Sequence, residues 1–446
     1  MYFLEEVILP PGEKIRRIRG YLGLKQYEIT GGKITRNLIS YIENGKTKLV
    51  ENTAKIIVDN MNEWAEKKKI PLNIDVEYIM LDEISQANIL LEKYIEKLKK
   101  YMNEQNKKFE NELLAAKKIL KDWDITEKKA KIFEICGEYY YRQEEFDESY
   151  ISYLKALENY IRISNNLKTA FIYSELAKCV IWMKNYQEAI NLNKYAFMFL
   201  KENNIEDMSI VKKILFNNSL AYRRINKYDE SLALLKKLEN EMADHLTEEQ
   251  HLNILLSKGN CYFKKEEYTV AEKIYDEIMD ITNKKNYLEI KSMTLKNLSE
   301  IYVKQNKIEK AIENLKKSIK IRLDNNIFCN NSFYIVNLYL SLGRLYNQIN
   351  EFELAEEYLL KASKEDVKIK DSSLQIDIYK ELMNNYMLSN NDKTMDKLIE
   401  DLKEKAYKYN KINQIKDIFF QAAHYYINKN VEKSEKLLKF SLEIIA

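Results

Sequence analysis

At 446 residues the chain exceeds what one hydrophobic core usually serves, so two or more units, or a repeat array, are expected. Three prolines and nine glycines describe a chain that is nearly all helix, and no apolar run approaches the length of a membrane span. The net charge of +3 taken alone argues nothing about nucleic acid, and four scattered cysteines (Cys136, Cys179, Cys261 and Cys329) with no C-x-x-C pair read as core residues in a reducing cytoplasm.

The first residues carry apolar side chains (Tyr2, Phe3, Leu4, Val7, Ile8, Leu9), but Glu5 and Glu6 interrupt them and no basic leader precedes them, so they do not read as a signal peptide. From Gly12 to Ile29 the sequence sets Ile15, Ile18 and Leu22 on one helical face with Lys14, Arg16, Arg17 and Arg19 around it, which predicts a helical unit with a basic rim. The next stretch, Thr35 to Gly45, is the most informative. Thr35 can cap a helix with its hydroxyl, Leu38, Ile39 and Ile42 form an inward stripe, Arg36, Asn37 and Ser40 face outward, and Gly45 ends the helix. Arg and Asn match the edges of guanine and adenine in the major groove, so this pair in an exposed first turn suits base contact. Residues 12 to 60 hold ten Lys and Arg against five acids, an excess that suits phosphate contact at this end of the chain. Six of the nine glycines also lie in the first 45 residues, which places most of the turn chemistry there.

Pro71 closes this region. Residues 81 to 121 then give two amphipathic patterns rich in Lys and Glu, including Leu90, Leu91, Tyr94, Ile95 and Leu98. They read as a linker helix with a degenerate repeat, or as a seam for a twofold partner.

From about Ala130 the chain repeats itself. A small residue is followed by an aromatic three later, an aromatic or apolar residue nine later and a small residue twelve later. The units read Gly137, Tyr140, Phe146, Ser149; Ala177, Val180, Tyr186, Ala189; Ser219, Tyr222, Tyr228, Ser231; Gly259, Tyr262, Tyr268, Ala271; Ser299, Tyr302, Ile308, Ala311; and Gly343, Tyr346, Phe352, Ala355. Weaker units follow around Met383, Tyr386 and Met395, and around Ala422, Tyr425, Val431 and Ser434. Small residues let two helices of a hairpin approach closely while the aromatics fill the space beside them.

Two resemblances rest on these residues. Ile15, Arg19, Leu24, Gln26, Ile34, Thr35, Ile39, Ser40, Ile42, Glu43, Asn44, Gly45 and Lys46 resemble the lambda-repressor-like (XRE-type) helix-turn-helix pattern over residues 12 to 69. Thr30-Gly31-Gly32-Lys33 is one residue shorter than the usual pattern, which shortens the second helix. The resemblance implies a double-stranded DNA operator contacted by Gln26, Thr35, Arg36, Asn37, Ser40 and Lys46. The later units resemble tetratricopeptide repeats, with first anchors 40, 42, 40, 40, 44, 40 and 39 residues apart against a usual 34, so longer helices and loops are expected. The expected architecture is all-α, with a helix-turn-helix domain at 1–70, a helical connector at 71–122 and a right-handed tetratricopeptide superhelix at 123–446.

That domain order resembles the RRNPP family of quorum-sensing regulators. It implies a cytoplasmic, commonly dimeric transcription regulator whose repeats bind a short signalling peptide. Asparagine can donate to a carbonyl and accept from an N–H of an extended peptide, and arginine can meet a carboxylate. Counting from the anchors, Asn217, Asn260, Asn297, Asn337, Arg344, Asn347 and Asn384 fall on or near the inner face of first helices, with Arg223 beside them. Two alternatives stay open: a phage lysis-lysogeny regulator of the same architecture, and a repeat scaffold for a protein partner. His245, His251 and His424 have no metal-ligand spacing, and there is no phosphate loop or nucleophile motif, so no catalytic or metal-binding residue and no cofactor is expected.

Overall fold

The computed structural model describes residues 7–104, 106, 108–325, 332–366, 372–409 and 412–443; Cys329 and the apolar residues Tyr2, Phe3 and Leu4 lie outside them. All regular structure among the described residues is helical. The chain divides into two compact units, Met1–Asp207 and Met208–Ala446.

Unit 1 begins with α1 (Pro11–Tyr21), a single 3-10 turn (Gln26–Ile29), α2 (Arg36–Glu43), α3 (Glu51–Lys67) and α4 (Val76–Met80). The shortened second helix expected from Thr30–Lys33 is this one turn. Ile15, Ile18, Leu22, Ile29, Ile39, Ile42, Ile57 and Met61 form one core, and Ile74 and Ile79 belong to it. Gly12 lets α1 approach the end of α2, because a Cβ there would lie 2.0 Å from the Ile42 carbonyl oxygen. Two helices follow, α5 (Glu83–Asn103) and α6 (Lys108–Asp122), and α5 packs on both α6 and the next helix.

Eight helical hairpins then run along the chain. Unit 1 holds α7 (Thr126–Arg142) with α8 (Phe146–Arg162) and α9 (Asn166–Trp182) with α10 (Tyr186–Glu202). Unit 2 holds α11 (Met208–Arg224) with α12 (Tyr228–Glu241), α13 (Glu248–Lys264) with α14 (Tyr268–Lys284), and α15 (Leu288–Lys304) with α16 (Ile308–Asp324). It continues with α17 (Ser332–Gln348) and α18 (Phe352–Asp366), α19 (Ser372–Leu388) and α20 (Asp392–Tyr409), and α21 (Ile412–Tyr426) and α22 (Val431–Glu443). Two helices of 17 residues, as in α7 and α8, separated by short turns account for the 40-residue period.

The anchors do what small and aromatic residues do in such hairpins. A Cβ on Gly137 would lie 2.6 Å from the Tyr153 ring, one on Gly259 2.4 Å from the Tyr275 ring, and one on Gly343 2.5 Å from the Leu359 side chain. In each case the second helix crosses over the missing side chain. The last anchor locks the crossing where it is serine: Ser149 Oγ donates to Gly137 O at 2.7 Å, and Ser231 Oγ to Ser219 O at 2.7 Å.

One expectation is overturned. Turn chemistry is not concentrated in the N-terminal region, because seven of the eight hairpin turns carry a left-handed residue that is never glycine: Glu144, Lys184, Asn226, Glu266, Asn306, Asn350 and Asn390, with φ between 52° and 64°. Each sits seven residues after a first anchor. The next N–H returns to the carbonyl of the second anchor, as in Glu145 to Tyr140 O (3.0 Å) and Lys307 to Tyr302 O (2.8 Å), which closes the helix end in a Schellman motif.

Candidate functional site

In the N-terminal region, the Thr35 hydroxyl caps α2 by accepting from the Leu38 N–H at 3.2 Å. That cap sets the first turn, and Arg36 and Asn37 stand exposed on it with Ser40 half-buried one turn on. Lys46 is exposed just past Gly45, whose φ of 67° takes the left-handed conformation that ends the helix. Behind α2 lies a partly buried ion pair. Arg19 Nε donates to Glu43 Oε1 at 2.6 Å and its second nitrogen to Oε2 at 3.0 Å, while Gln26 Nε2 donates to the same Oε2 at 2.8 Å. The Gln26 carbonyl oxygen then faces Arg36 Nε at 3.5 Å. Gln26 is therefore held by Glu43 and keeps its acceptor toward α2.

The basic rim needs correcting at two of its four residues. Lys14 is fully buried and Arg19 is committed to Glu43, leaving Arg16 and Arg17 exposed on α1 beside Glu13. The amphipathic count misjudged Lys14 because it sits next to Ile15 on a helix that is covered from both sides. Burial pulls its ammonium down to about 8, against the raising charges of Glu83 and Asp82.

In unit 2 the first helices of the hairpins pack in succession, α11 on α13, α13 on α15 and α17 on α19. Of the predicted asparagines, Asn260 and Asn297 pair with each other, and Asn347 pairs with a neighbour that was not predicted. Asn297 Nδ2 donates to Asn260 Oδ1 at 2.8 Å, and the buried Tyr275 hydroxyl donates to the same oxygen at 2.7 Å. Burial raises that tyrosine, so it stays a donor. Asn347 is buried and its Oδ1 accepts from Asn385 Nδ2 at 2.7 Å. Arg344 Nε donates to Glu381 Oε1 at 2.8 Å. Asn217 is buried within α11, Asn337 donates to Phe333 O of its own helix, and Asn384 is half-buried on α19. Arg223, on α11, acts electrostatically on Tyr275 and Cys261, which ties it to the Asn260 cluster.

Sequence reasoning missed Tyr275, Glu381 and Asn385. Tyr275 could have been found from its offset of sixteen residues from Gly259, which Tyr153 shares with Gly137. Asn385 differs from the predicted Asn384 by one helical step, too small for anchor counting to resolve. A depression of about 410 Å³ opens on α19 and α21, lined by Met387, Phe420, Gln421, His424 and Tyr425. His424 is exposed there. Cys136, Cys179 and Cys261 are buried, and burial holds Cys136 and Cys179 up at about 12. Among the described residues no cluster of His, Cys, Asp and Glu could hold a metal, and no helix is long and apolar enough to cross a membrane.

Comparison with known proteins bears on the repeats. The tetratricopeptide repeat family matches residues 250–324 and 336–366. No curated protein matches the chain. Among solved structures, a Signal Transduction ATPase with Numerous Domains from Pyrococcus horikoshii, which carries a tetratricopeptide repeat sensor, is similar over 98% of this chain and 72% of its own at 15% identity and a TM-score of 0.59. The apo form of the quorum sensor NprR from B. thuringiensis is similar over 82% of this chain and 100% of its own at 13% identity and a TM-score of 0.53. The fold is thus an all-helical tetratricopeptide-type repeat array preceded by a separate cluster of short helices.

Proposed function

We propose that this chain is a cytoplasmic, homodimeric transcription regulator of the RRNPP type. Residues 1–70 bind operator DNA, 71–122 connect, and 123–446 bind a short signalling peptide that controls DNA binding. The observation that carries the reading is the first turn of α2: an exposed Arg36–Asn37 pair, fixed by the Thr35 cap and backed by the Arg19–Glu43–Gln26 network, on a chain whose remainder is a repeat array. A guanidinium and an amide held out on a capped turn are what base edges in the major groove require. The fold alone does not choose this function, because an ATPase sensor and a quorum sensor share it. The peptide half of the reading rests on the paired amides of Asn260 with Asn297 and Asn347 with Asn385, together with Arg344, Arg223, Asn217, Asn337 and Asn384, as polar groups spread along the first helices.

The test is selection of fragments from the source genome by the purified protein at moderate salt, with an Arg36→Ala, Asn37→Ala variant in parallel. The regulator reading expects a shared inverted repeat enriched by the parent alone, with the variant folded. Enrichment by neither, with or without extract of spent culture, transfers the weight to a scaffold for a protein partner.

A further inference from the structure

Two buried polar side chains outside the sites above join the N-terminal helical cluster to α5. Lys14, fully buried on α1, donates from Nζ to Tyr78 O at 2.7 Å and to Leu81 O at 2.6 Å, at the end of α4, and lies 5.0 Å from the centroid of the Tyr78 ring. Gln86, on the first turns of α5, donates to Leu9 O at 2.7 Å, to Leu81 O at 3.0 Å and to Asp82 O at 3.0 Å, while its carbonyl accepts from the Leu9 N–H at 3.2 Å. Together they take up backbone groups from the residues before α1, the end of α4 and the start of α5, where a mobile connector would leave them to water.

The stretch between α3 and α5 is pinned as well. Asn62 exchanges two hydrogen bonds with Ile74, at 2.8 and 3.0 Å, and Lys68 Nζ donates to Leu22 O at 2.6 Å. Ile74 and Ile79 are part of the N-terminal core. Pro71 is therefore followed by a segment with little freedom to bend. The far half of α5 is committed elsewhere: Leu91, Ile95 and Leu98 share a core with Phe109 and Leu113 of α6 and with Ile132 and Ile135 of α7. A single helix of 21 residues is held at one end by the N-terminal cluster and at the other by the first hairpins.

We propose that Lys14 and Gln86 form a clamp that makes the N-terminal cluster, α5 and the first hairpins one rigid body, so that α5 carries any displacement of those hairpins to α2 without slack. The residues between Pro71 and Asp82 are then not a hinge. Burying an ammonium and a carboxamide is unfavourable unless they are hydrogen-bonded, and their partners distant in sequence, Tyr78 O and Leu81 O for Lys14 and the Leu9 backbone for Gln86, meet them only in this docking. The clamp stands on geometry; its use as a relay of a peptide signal rests on the regulator reading.

The experiment is a distance distribution between two spin labels, at Lys48→Cys in the loop after α2 and Lys118→Cys on α6, in the full chain carrying Cys329→Ser. Both label sites are exposed, and the three remaining native thiols, Cys136, Cys179 and Cys261, are buried away from the label. The expected result is a narrow distribution in the parent and in Lys14→Arg, and one at least twofold broader in Lys14→Met with Gln86→Leu. A distribution that stays narrow in the double variant overturns the clamp. If that variant loses helix content by circular dichroism, Gln86→Ala alone is read instead; broadening supports the clamp and an unchanged width overturns it. No arm involves DNA, so a chain with a narrow distance that enriches no operator refutes the regulator reading and leaves the clamp standing.

Discussion

The N-terminal cluster and the repeats spend glycine in opposite ways. In the cluster, Gly23, Gly31, Gly32 and Gly45 take positive φ, between 55° and 69°, and supply turns. In the repeats, Gly137, Gly259 and Gly343 sit inside helices where a neighbouring side chain occupies the space of a Cβ, and the left-handed turns go to Asn, Glu, Lys and Ser. A short-helix cluster must reverse direction often within few residues, so it uses the residue with no steric penalty in the left-handed region. A repeat array is stabilised by hairpin contact along its length, so it can tolerate roughly 1–2 kcal/mol of strain at each turn and places its smallest residue where helices cross.

Gly12 is the exception within the cluster, because it does there what the other three do in the repeats. Its Cβ would lie 2.0 Å from a backbone oxygen of α2, which cannot turn aside as a side chain can. Gly12→Ala is expected to destabilise the cluster by about 3 kcal/mol or more, beyond ordinary overpacking. Native-state hydrogen exchange checks this, since it localises the loss to α1 and α2; equal protection in the variant refutes the close-contact account. In the repeats, Gly259→Ala drives a Cβ to 2.4 Å from a ring that is buried and tied by its hydroxyl to Asn260, so a loss of about 2 kcal/mol is expected in urea unfolding. Gly343→Ala faces the Leu359 side chain, which can shift rotamer, and should lose less.

The same contrast decides how much could be read from the residues. The repeat fold was readable because a small residue at a helix crossing has no substitute, so its recurrence at Gly137, Ala177, Ser219, Gly259, Ser299 and Gly343 survives every other change. The turns were not, since Glu144 or Lys184 in the left-handed region looks like any solvated residue, and only the returning N–H gives it away. The outward placement of Arg36 and Asn37 followed from the stripe of Leu38, Ile39 and Ile42. The roles of Lys14 and Gln26 did not, because their partners, Leu81 and Glu43, are 67 and 17 residues away.

Glu266→Gly tests the strain held in a repeat turn. Glu266 has φ of 64°, and no hydrogen bond in its Schellman turn uses its side chain. Relief of the left-handed strain, offset by the extra freedom of glycine when unfolded, should raise stability by about 1 kcal/mol. Gly45→Ala, at φ of 67°, should do the reverse by a similar amount. A Glu266→Gly variant that melts below the parent would mean that the turn strain is not there to be relieved.

Burial of titratable groups also separates the two regions, and this gives the smallest effect. Lys14 is lowered by burial from 10.5 to about 8, so between these values the unfolded chain holds more protons than the folded one and the stability of the cluster rises with pH. Cys136 and Cys179 in the repeats are raised by burial from 9.0 to about 12; above pH 9 their unfolded thiols ionise while the folded ones do not, and stability falls with pH. From pH 7.5 to 8.5, before the thiols contribute, amide protection in α1 and α4 should increase by on the order of half a kcal/mol relative to α7–α9. Lys14→Met should abolish that drift while leaving the loss above pH 9 unchanged. A drift that persists without Lys14 would assign it to another group, and the desolvated ammonium would then carry no part of the pH dependence.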